Sequence, residues 1–159
     1  MYTKKRRAVN AVLICMCLAT LCFIWGNSAM SPSDSSEASN SLLDAIGPIV
    51  RFLGIVLSDD LALRKFAHFA EYSALGIELA LLGAVNMRLA FQDISNCAFA
   101  GLLTAVTDES IQLLSGRSSQ VSDILLDFAG VLTGALLIWL IRHIVLKRRK
   151  KHTGVERTD

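Results

Sequence analysis

The sequence predicts an all-α membrane protein, a bundle of four transmembrane helices with cytoplasmic N and C termini and a short interfacial helix before the second span. Three observations predict this fold. The 159-residue chain is 53% hydrophobic, which is too apolar for an ordinary soluble domain of this length. Its apolar residues form runs about as long as a bilayer core. Basic clusters at residues 4–7 and 147–151 flank the first and last runs, and such short basic flanks mark the cytoplasmic side.

The first span is predicted over residues 8–26, and residues 1–27 form the first unit with its basic flank. As a helix this run is about one bilayer core long. A cleaved signal peptide is the alternative, because basic residues precede the run. The apolar core is longer than that of a typical signal peptide, and Asn27-Ser28-Ala29 lacks a small residue at the first position of a cleavage site. We therefore expect an uncleaved span.

Residues 28–63 are predicted to form an external loop and an interfacial helix. Residues 28–41 are rich in serine, which is typical of an exposed loop. The apolar run 42–57 is interrupted by Gly47-Pro48 and contains a charged arginine. A short helix at the membrane interface, or a re-entrant segment, is therefore favoured over a full span.

Three further spans are predicted over residues 66–87, 94–114 and 122–145. They lie within a unit of residues 64–146, which a basic cytoplasmic tail of residues 147–159 follows. The connections between them are short, so neighbouring spans are antiparallel. Four spans bring both termini to the same side. We therefore expect a multi-pass protein of the cell membrane, with membrane lipids as its partners.

The charged residues inside and beside the spans, and the four cysteines, lead to further predictions. The basic clusters adjoin apolar segments, so they are assigned to anchoring rather than to nucleic-acid binding. Glu78 lies near the middle of the second span, with two alternatives: either its carboxyl group is protonated, or it faces a polar group such as Thr104 or Thr107. The four cysteines have no CxxC spacing and no nearby histidine, so neither a disulfide framework nor a zinc site is predicted from them.

Polar side chains recur at the outer ends of the last three spans. They are Lys65, His68, Glu71 and Tyr72 on the second span, Asp108, Glu109 and Gln112 on the third, and Asp123 and Asp127 on the fourth. Spacings of three and four residues place each set on one sector of its helix. The second and fourth spans begin outside and the third ends there. The three polar faces are therefore predicted to lie at one depth and to converge on one outward-opening pocket.

An anionic ligand suits the predicted pocket. Two of its helices point their N termini outward, where unpaired N–H groups and the helix dipole favour anions. Arg64, Lys65 and Arg117 add positive charge at the same end. We expect a phosphate of a lipid or lipid-linked precursor, or a carboxylate of a cell-wall peptide. The alternative is that Arg117 pairs with Glu109 or Asp123 and only closes the bundle.

His68 is the candidate general base, with Glu71 or Glu109 as the acid that orients its ring. A structural histidine that is hydrogen-bonded to one acid is the alternative. A metal site made from His68, Glu71, Glu109 and Asp123 would have only one nitrogen ligand and would match no established ligand spacing. Neither a metal nor another cofactor is therefore predicted.

Three motifs stand at the outer ends of the last three spans. They are RKFAHFAEYSALG (64–76), DESIQ (108–112), and GR followed by SDILLDFAG (116–117 and 122–130). Together they resemble the VanZ-like family of bacterial membrane proteins, over about half of the chain. The resemblance implies a VanZ-like domain whose polar positions are Lys65, His68, Glu71, Tyr72, Glu109, Gln112, Arg117 and Asp123. Asp127 stands where many members have Asn, and Ser115 stands where many have Pro.

The resemblance implies a role in the bacterial cell envelope, since the founding member of the family is associated with resistance to the glycopeptide teicoplanin. Two functions follow for the predicted pocket. In the first, Arg64 and Asp127 join the eight positions above in binding an anionic envelope component. In the second, His68, Glu71 and Glu109 act on a lipid-linked phosphate or ester while Lys65 and Arg117 stabilise the developing charge. Binding is ranked first, because the sequence contains no nucleophile and base pair with defined spacing.

Overall fold

The computed structural model describes residues 2–37, 41, 60–86 and 91–155, and every long regular element among them is an α-helix. The helices are α1 (Tyr2–Ser28), α2 (Asp60–Val85), α3 (Phe91–Leu114) and α4 (Val121–Val155). The predicted all-α class is therefore confirmed. The predicted interfacial helix and the loop that contains Arg88 lie outside the described residues.

Two of the helices are long and apolar enough to cross a membrane. These segments are Lys4–Ser28 and Val121–Arg148. Acidic side chains interrupt the apolar sequence of α2 and α3, and neither helix reaches the same hydropathy. The four-span topology and the orientation of the termini therefore stay predictions.

The helices α2 and α4 pack with their backbones in close contact. A Cβ atom on Gly130 would lie 2.7 Å from the carbonyl oxygen of Phe69, and one on Gly134 would collide with the carbonyl oxygen of Ser73. Only glycine allows this approach. Gly130 and Gly134 are four residues apart and so lie on one face of α4, as small residues at a close helix contact commonly do. A Cβ on Gly76 would collide with the backbone of Val131 from the other side of the same interface.

The core contains side chains from all four helices. Its fully buried members are Ile24, Tyr72, Leu75, Ala105 and Val131. The helix α1 also contacts α2 through polar groups, because Thr20 Oγ1 donates a hydrogen bond to Glu78 Oε1 at 2.9 Å. Glu78 thus has a partner on α1, whereas Thr104 and Thr107 donate to the backbone of their own helix.

Candidate functional site

The turn after α3 places the beginning of α4 beside the end of α3. Gly116 has a φ of 80°, which favours glycine because other residues rarely adopt that conformation. Its amide donates to the carbonyl of Leu113 at 3.3 Å. The next amide, of Arg117, donates to the carbonyl of Gln112 at 3.0 Å. This pair of bonds is a Schellman motif, and it fixes where Arg117 leaves the helix.

A cluster of one histidine and two aspartates lies where α2, α3 and α4 meet. His68 Nδ1 is 3.7 Å from Asp108 Oδ2 and 3.8 Å from Asp127 Oδ1. The two aspartates are 0% and 1% exposed, and the side chain of His68 is 18% exposed. The acids beside the His68 ring are therefore Asp108 and Asp127, in place of the predicted Glu71 or Glu109.

Asp108 was predicted to lie on the polar face of the third span, but it was not among the residues expected to bind a ligand or to act on one. The signal that identifies it is its spacing of four from Gln112, which puts both side chains on one face of α3. Gln112 Nε2 donates a hydrogen bond to Asp108 Oδ2 at 3.0 Å. Asp127, by contrast, accepts no hydrogen bond at either carboxylate oxygen from any residue that the structure describes.

An ion pair lies at the rim of the cluster. Lys65 Nζ is 2.9 Å from Asp123 Oδ1, with side chains that are 38% and 26% exposed. Asp123 stands one helical turn before Asp127 on α4. The same helix therefore presents one paired acid near the surface and one unpaired acid in the interior.

Glu109 and Arg117 bind backbone groups instead of each other. Glu109 is 3% exposed and accepts a hydrogen bond from the Gln120 amide at 3.1 Å, just before α4 begins. Arg117 Nη1 donates to the carbonyl oxygen of Asn27 at 3.4 Å. Within the described part of the chain, Arg117 forms no ion pair with Glu109 or Asp123, although the charge of Glu109 acts on it. Whether Arg117 binds a ligand or only closes the bundle stays a prediction.

The end of α1 also belongs to this region, which the sequence did not predict. Asn27 Nδ2 donates to Glu71 Oε1 at 3.4 Å, and Gln112 Nε2 contacts Ser28 Oγ at 3.4 Å. Ser115 Oγ donates to the carbonyl of Ser28 at 3.0 Å. No periodicity or motif marks these α1 residues, because their role depends on which helices pack together.

These side chains surround a small cavity of about 40 Å³. Its described lining is Arg64, Lys65, His68, Glu109, Gln112, Asp123, Leu126 and Asp127. Three other predicted site residues lie outside this lining: Glu71, the fully buried Tyr72, and Arg117. The structure therefore places most of the predicted residues around one cavity, while their function stays a prediction.

Two guanidinium groups lie near each other at the mouth of the cavity. Burial, and next the neighbouring Arg64, lower the pKa of Arg117 below its ordinary value, although arginine remains protonated at physiological pH. Arg64 itself donates a hydrogen bond to Ser36 Oγ at 2.6 Å. The charges of Asp108 and Glu109 act on the pKa of Arg117 in the opposite direction. A guanidinium group in this position is nevertheless a strong donor to an anion.

A larger cavity, of about 550 Å³, lies at the opposite end of the helices. Arg6, Asn86 and Asn96 contribute its polar groups, and no acid belongs to its described lining. Because the buried acids and the histidine surround the smaller cavity, the smaller one is the candidate functional site.

Comparison with known proteins gives one match. The sequence model of the VanZ/LLP1 family matches residues 11–142. The matched region begins within α1 and ends within α4, so it is wider than the three motifs. Neither a curated protein nor a solved structure matches the chain.

Proposed function

The chain belongs to the VanZ/LLP1 family, and from that premise we propose that it is a four-span protein of the cell membrane whose outward-facing cavity binds an anionic group of an envelope component. A phosphate of a lipid or lipid-linked precursor is the ligand class we favour. Such binding would connect the protein to glycopeptide resistance of the teicoplanin type, by retaining or shielding a component that the antibiotic needs.

The observation that carries this proposal is the arrangement of cations at the mouth of the cavity. Arg64 and Arg117 lie close enough for the charge of one to lower the pKa of the other. The described contact of Arg117 is with a neutral carbonyl, that of Asn27. An anion bound there would accept hydrogen bonds from the Arg117 guanidinium, and the outward N termini of α2 and α4 would contribute N–H groups.

The burial of acids supports spans at α2 and α3. Glu78, Asp108 and Glu109 are buried within the bundle, so lipid would not meet their charges. Most of the exposed residues of α3 are large and apolar, as a lipid-facing surface requires, and Ser95, Asn96 and Ser110 are the exposed polar ones among its described residues. The apolar ones include Phe99, Leu102, Leu103, Val106 and Leu113. Hydropathy alone therefore understates how well these helices suit a bilayer.

A binding assay with a matched ligand pair tests the proposal. The full chain in detergent is titrated with a long-chain prenyl phosphate and with the corresponding uncharged prenyl alcohol. We expect the phosphate to bind at least tenfold more tightly than the alcohol, and Arg117→Ala to abolish that preference. Arg117→Lys would retain part of it, because lysine keeps the charge but loses the bidentate geometry.

Arg142→Ala is the matched control for this assay. Arg142 Nη1 donates to the carbonyl oxygen of Ala84 at 3.2 Å, at the other end of α4. Both arginines thus bond a backbone carbonyl of another helix, but only Arg117 borders the candidate site. Equal binding of the phosphate and the alcohol to the wild-type protein would contradict the proposal.

One specific observation favours a second function, that of a membrane enzyme. His68 has its Nδ1 beside two carboxylates, an arrangement that orients an imidazole for general base chemistry through its other nitrogen. A lipid-linked phosphate or ester would be the substrate, and Lys65 and Arg117 would stabilise charge that develops on it. This function is ranked second, since the described residues around His68 include no nucleophile within hydrogen-bond distance of the ring.

A further inference from the structure

The two carboxylates beside His68 have no lysine or arginine within ion-pair distance among the described residues, and the charge of Arg117 acts on Asp108 only from farther away. Two buried carboxylates at one place repel each other, and an uncompensated charge in a protein interior is costly. Lys65, the nearest lysine, pairs with Asp123 at 2.9 Å. The described part of the chain contains no ion pair from a lysine or an arginine to either Asp108 or Asp127.

Asp127 is the residue on which the inference mainly rests. It is 1% exposed, it lines the cavity, and both of its oxygens lack a hydrogen-bond donor among the described residues. Buried polar groups are almost always paired with protein, water or an ion. A fully buried acid with two unused oxygens that lines a cavity therefore has donor atoms available for a water molecule or an ion inside that cavity.

The spacing of the three side chains suits a metal ion. One donor atom from each of His68, Asp108 and Asp127 lies within 4.8 Å of the other two. The distances from His68 Nδ1 to the two carboxylate oxygens are 3.7 and 3.8 Å. Ligand atoms held at about 2.0–2.2 Å from a tetrahedral ion lie about 3.3–3.6 Å apart. The two distances from His68 therefore need only a small contraction, whereas the two carboxylate oxygens, which lie within 4.8 Å of each other, would have to move closer together on binding.

We propose that His68, Asp108 and Asp127 bind one divalent cation of the zinc or manganese class. One imidazole nitrogen with two carboxylates is a donor set for these ions, and three protein ligands leave a position for water or another ligand. The two carboxylates and a neutral imidazole balance the charge of the ion. The cavity of about 40 Å³ also exceeds the roughly 10–15 Å³ that one water needs.

Two neighbours support this geometry. Gln112 Nε2 donates to Asp108 Oδ2 at 3.0 Å, as groups behind a ligand carboxylate commonly do. The ion pair of Lys65 with Asp123 keeps that acid out of the donor set. The donor set thus differs from the one weighed from sequence, in which Glu71, Glu109 and Asp123 accompanied His68.

A titration with the metal alone tests the site. The full chain is purified through a tag without histidines, treated with a chelator, and titrated with Mn²⁺ while electron paramagnetic resonance measures the free ion. Manganese is chosen because it prefers oxygen ligands, which keeps the free cysteines out of the measurement. We expect one equivalent to bind, and one equivalent of Zn²⁺ to displace it, since zinc binds such sites more tightly.

Variants locate the ion. His68→Ala, Asp108→Asn and Asp127→Asn should each weaken Mn²⁺ binding at least tenfold. Glu78→Gln is the matched control, because it removes a buried carboxylate that lies outside the cluster, on α2, and accepts a hydrogen bond from Thr20. This variant should bind Mn²⁺ as the wild-type protein does.

The proposal is overturned if the wild-type protein binds no stoichiometric Mn²⁺, a result that requires no variant to fold. It is also overturned if the folded Asp127→Asn protein binds Mn²⁺ unchanged. The Mn²⁺ titration contains no anionic ligand. Its outcome therefore does not depend on whether the anion binding of the proposed function is correct.

Discussion

At the scale of single residues, α4 carries two acids that differ in burial and in their partners. Asp123 is partly exposed and lies 2.9 Å from Lys65 Nζ. Asp127 lies one turn deeper, is 1% exposed and has no donor among the described residues. The first is an ordinary surface ion pair, whose contribution to stability is small. The second costs stability unless a ligand or a proton neutralises it.

Removing the two charges should therefore have different effects on the metal-free protein. We expect Asp127→Asn to raise the melting temperature in the presence of a chelator, by roughly 2–4 °C for each kcal/mol gained. Asp123→Asn should change it little, since an exposed pair contributes about 0–1 kcal/mol. Thermal unfolding in detergent measures both. A melting temperature that falls for Asp127→Asn without metal would show that its carboxylate has a stabilising partner.

His68 separates the two ranked functions. With a chelator present, we expect His68→Ala to leave prenyl phosphate binding nearly unchanged, because the cations at the mouth remain. A catalytic role also predicts intact binding, but it adds a turnover of a lipid-linked phosphate that His68→Ala lowers by a hundredfold or more. Parallel measurements of binding and of phosphate release decide between them. Turnover that His68→Ala abolishes would reverse the ranking.

At the scale of helices, the sequence predicted the apolar cores better than the helix ends. The end of α3 at Leu114 was predicted, because Ser115 and Gly116 interrupt the apolar run there. The helix α4 was predicted to end at residue 145 but continues to Val155. Lysine and arginine favour a helix and suit its C terminus, so the basic tail prolongs the helix beyond the membrane-length run.

The interface of α2 and α4 gives a prediction about packing. Gly134→Ala should destabilise the protein by about 1–3 kcal/mol, because its Cβ would collide with backbone that cannot easily move. Gly26→Ala is the control, since a Cβ there meets nothing within 4 Å, and alanine favours a helix. Thermal unfolding of both variants checks this. Equal melting temperatures would mean that α2 and α4 are farther apart than described.

At the scale of the whole molecule, the site depends on pairings that a linear pattern does not specify. Periodicity identified the faces that carry His68, Gln112 and Asp127. It did not identify Asn27 and Ser28 as neighbours, because the position of α1 against α2 and α3 follows from packing. The choice of Asp108 over Glu109 as the acid next to His68 likewise depends on the rotation of α3, which one residue of offset changes by about 100°.

Topology is predicted at this scale from the basic clusters and the count of four spans. A reporter fused after Asp159 should give a cytoplasmic signal, and one inserted near Ser36 should give an external signal. Paired reporters active on only one side of the membrane measure this. A cytoplasmic signal near Ser36 would place the candidate site on the inner side and would contradict the bundle proposed above.

The central claim is that the mouth of the cavity binds an anionic envelope component, and lipid analysis tests it most directly. Native mass spectrometry of the purified full chain identifies the lipids that remain bound, in the wild-type protein and in Arg117→Ala and Arg142→Ala. We predict a phosphate-bearing lipid on the wild-type protein and on Arg142→Ala, and a loss of at least tenfold on Arg117→Ala. The same amount of this lipid on all three proteins, or none on the wild type, would contradict the claim.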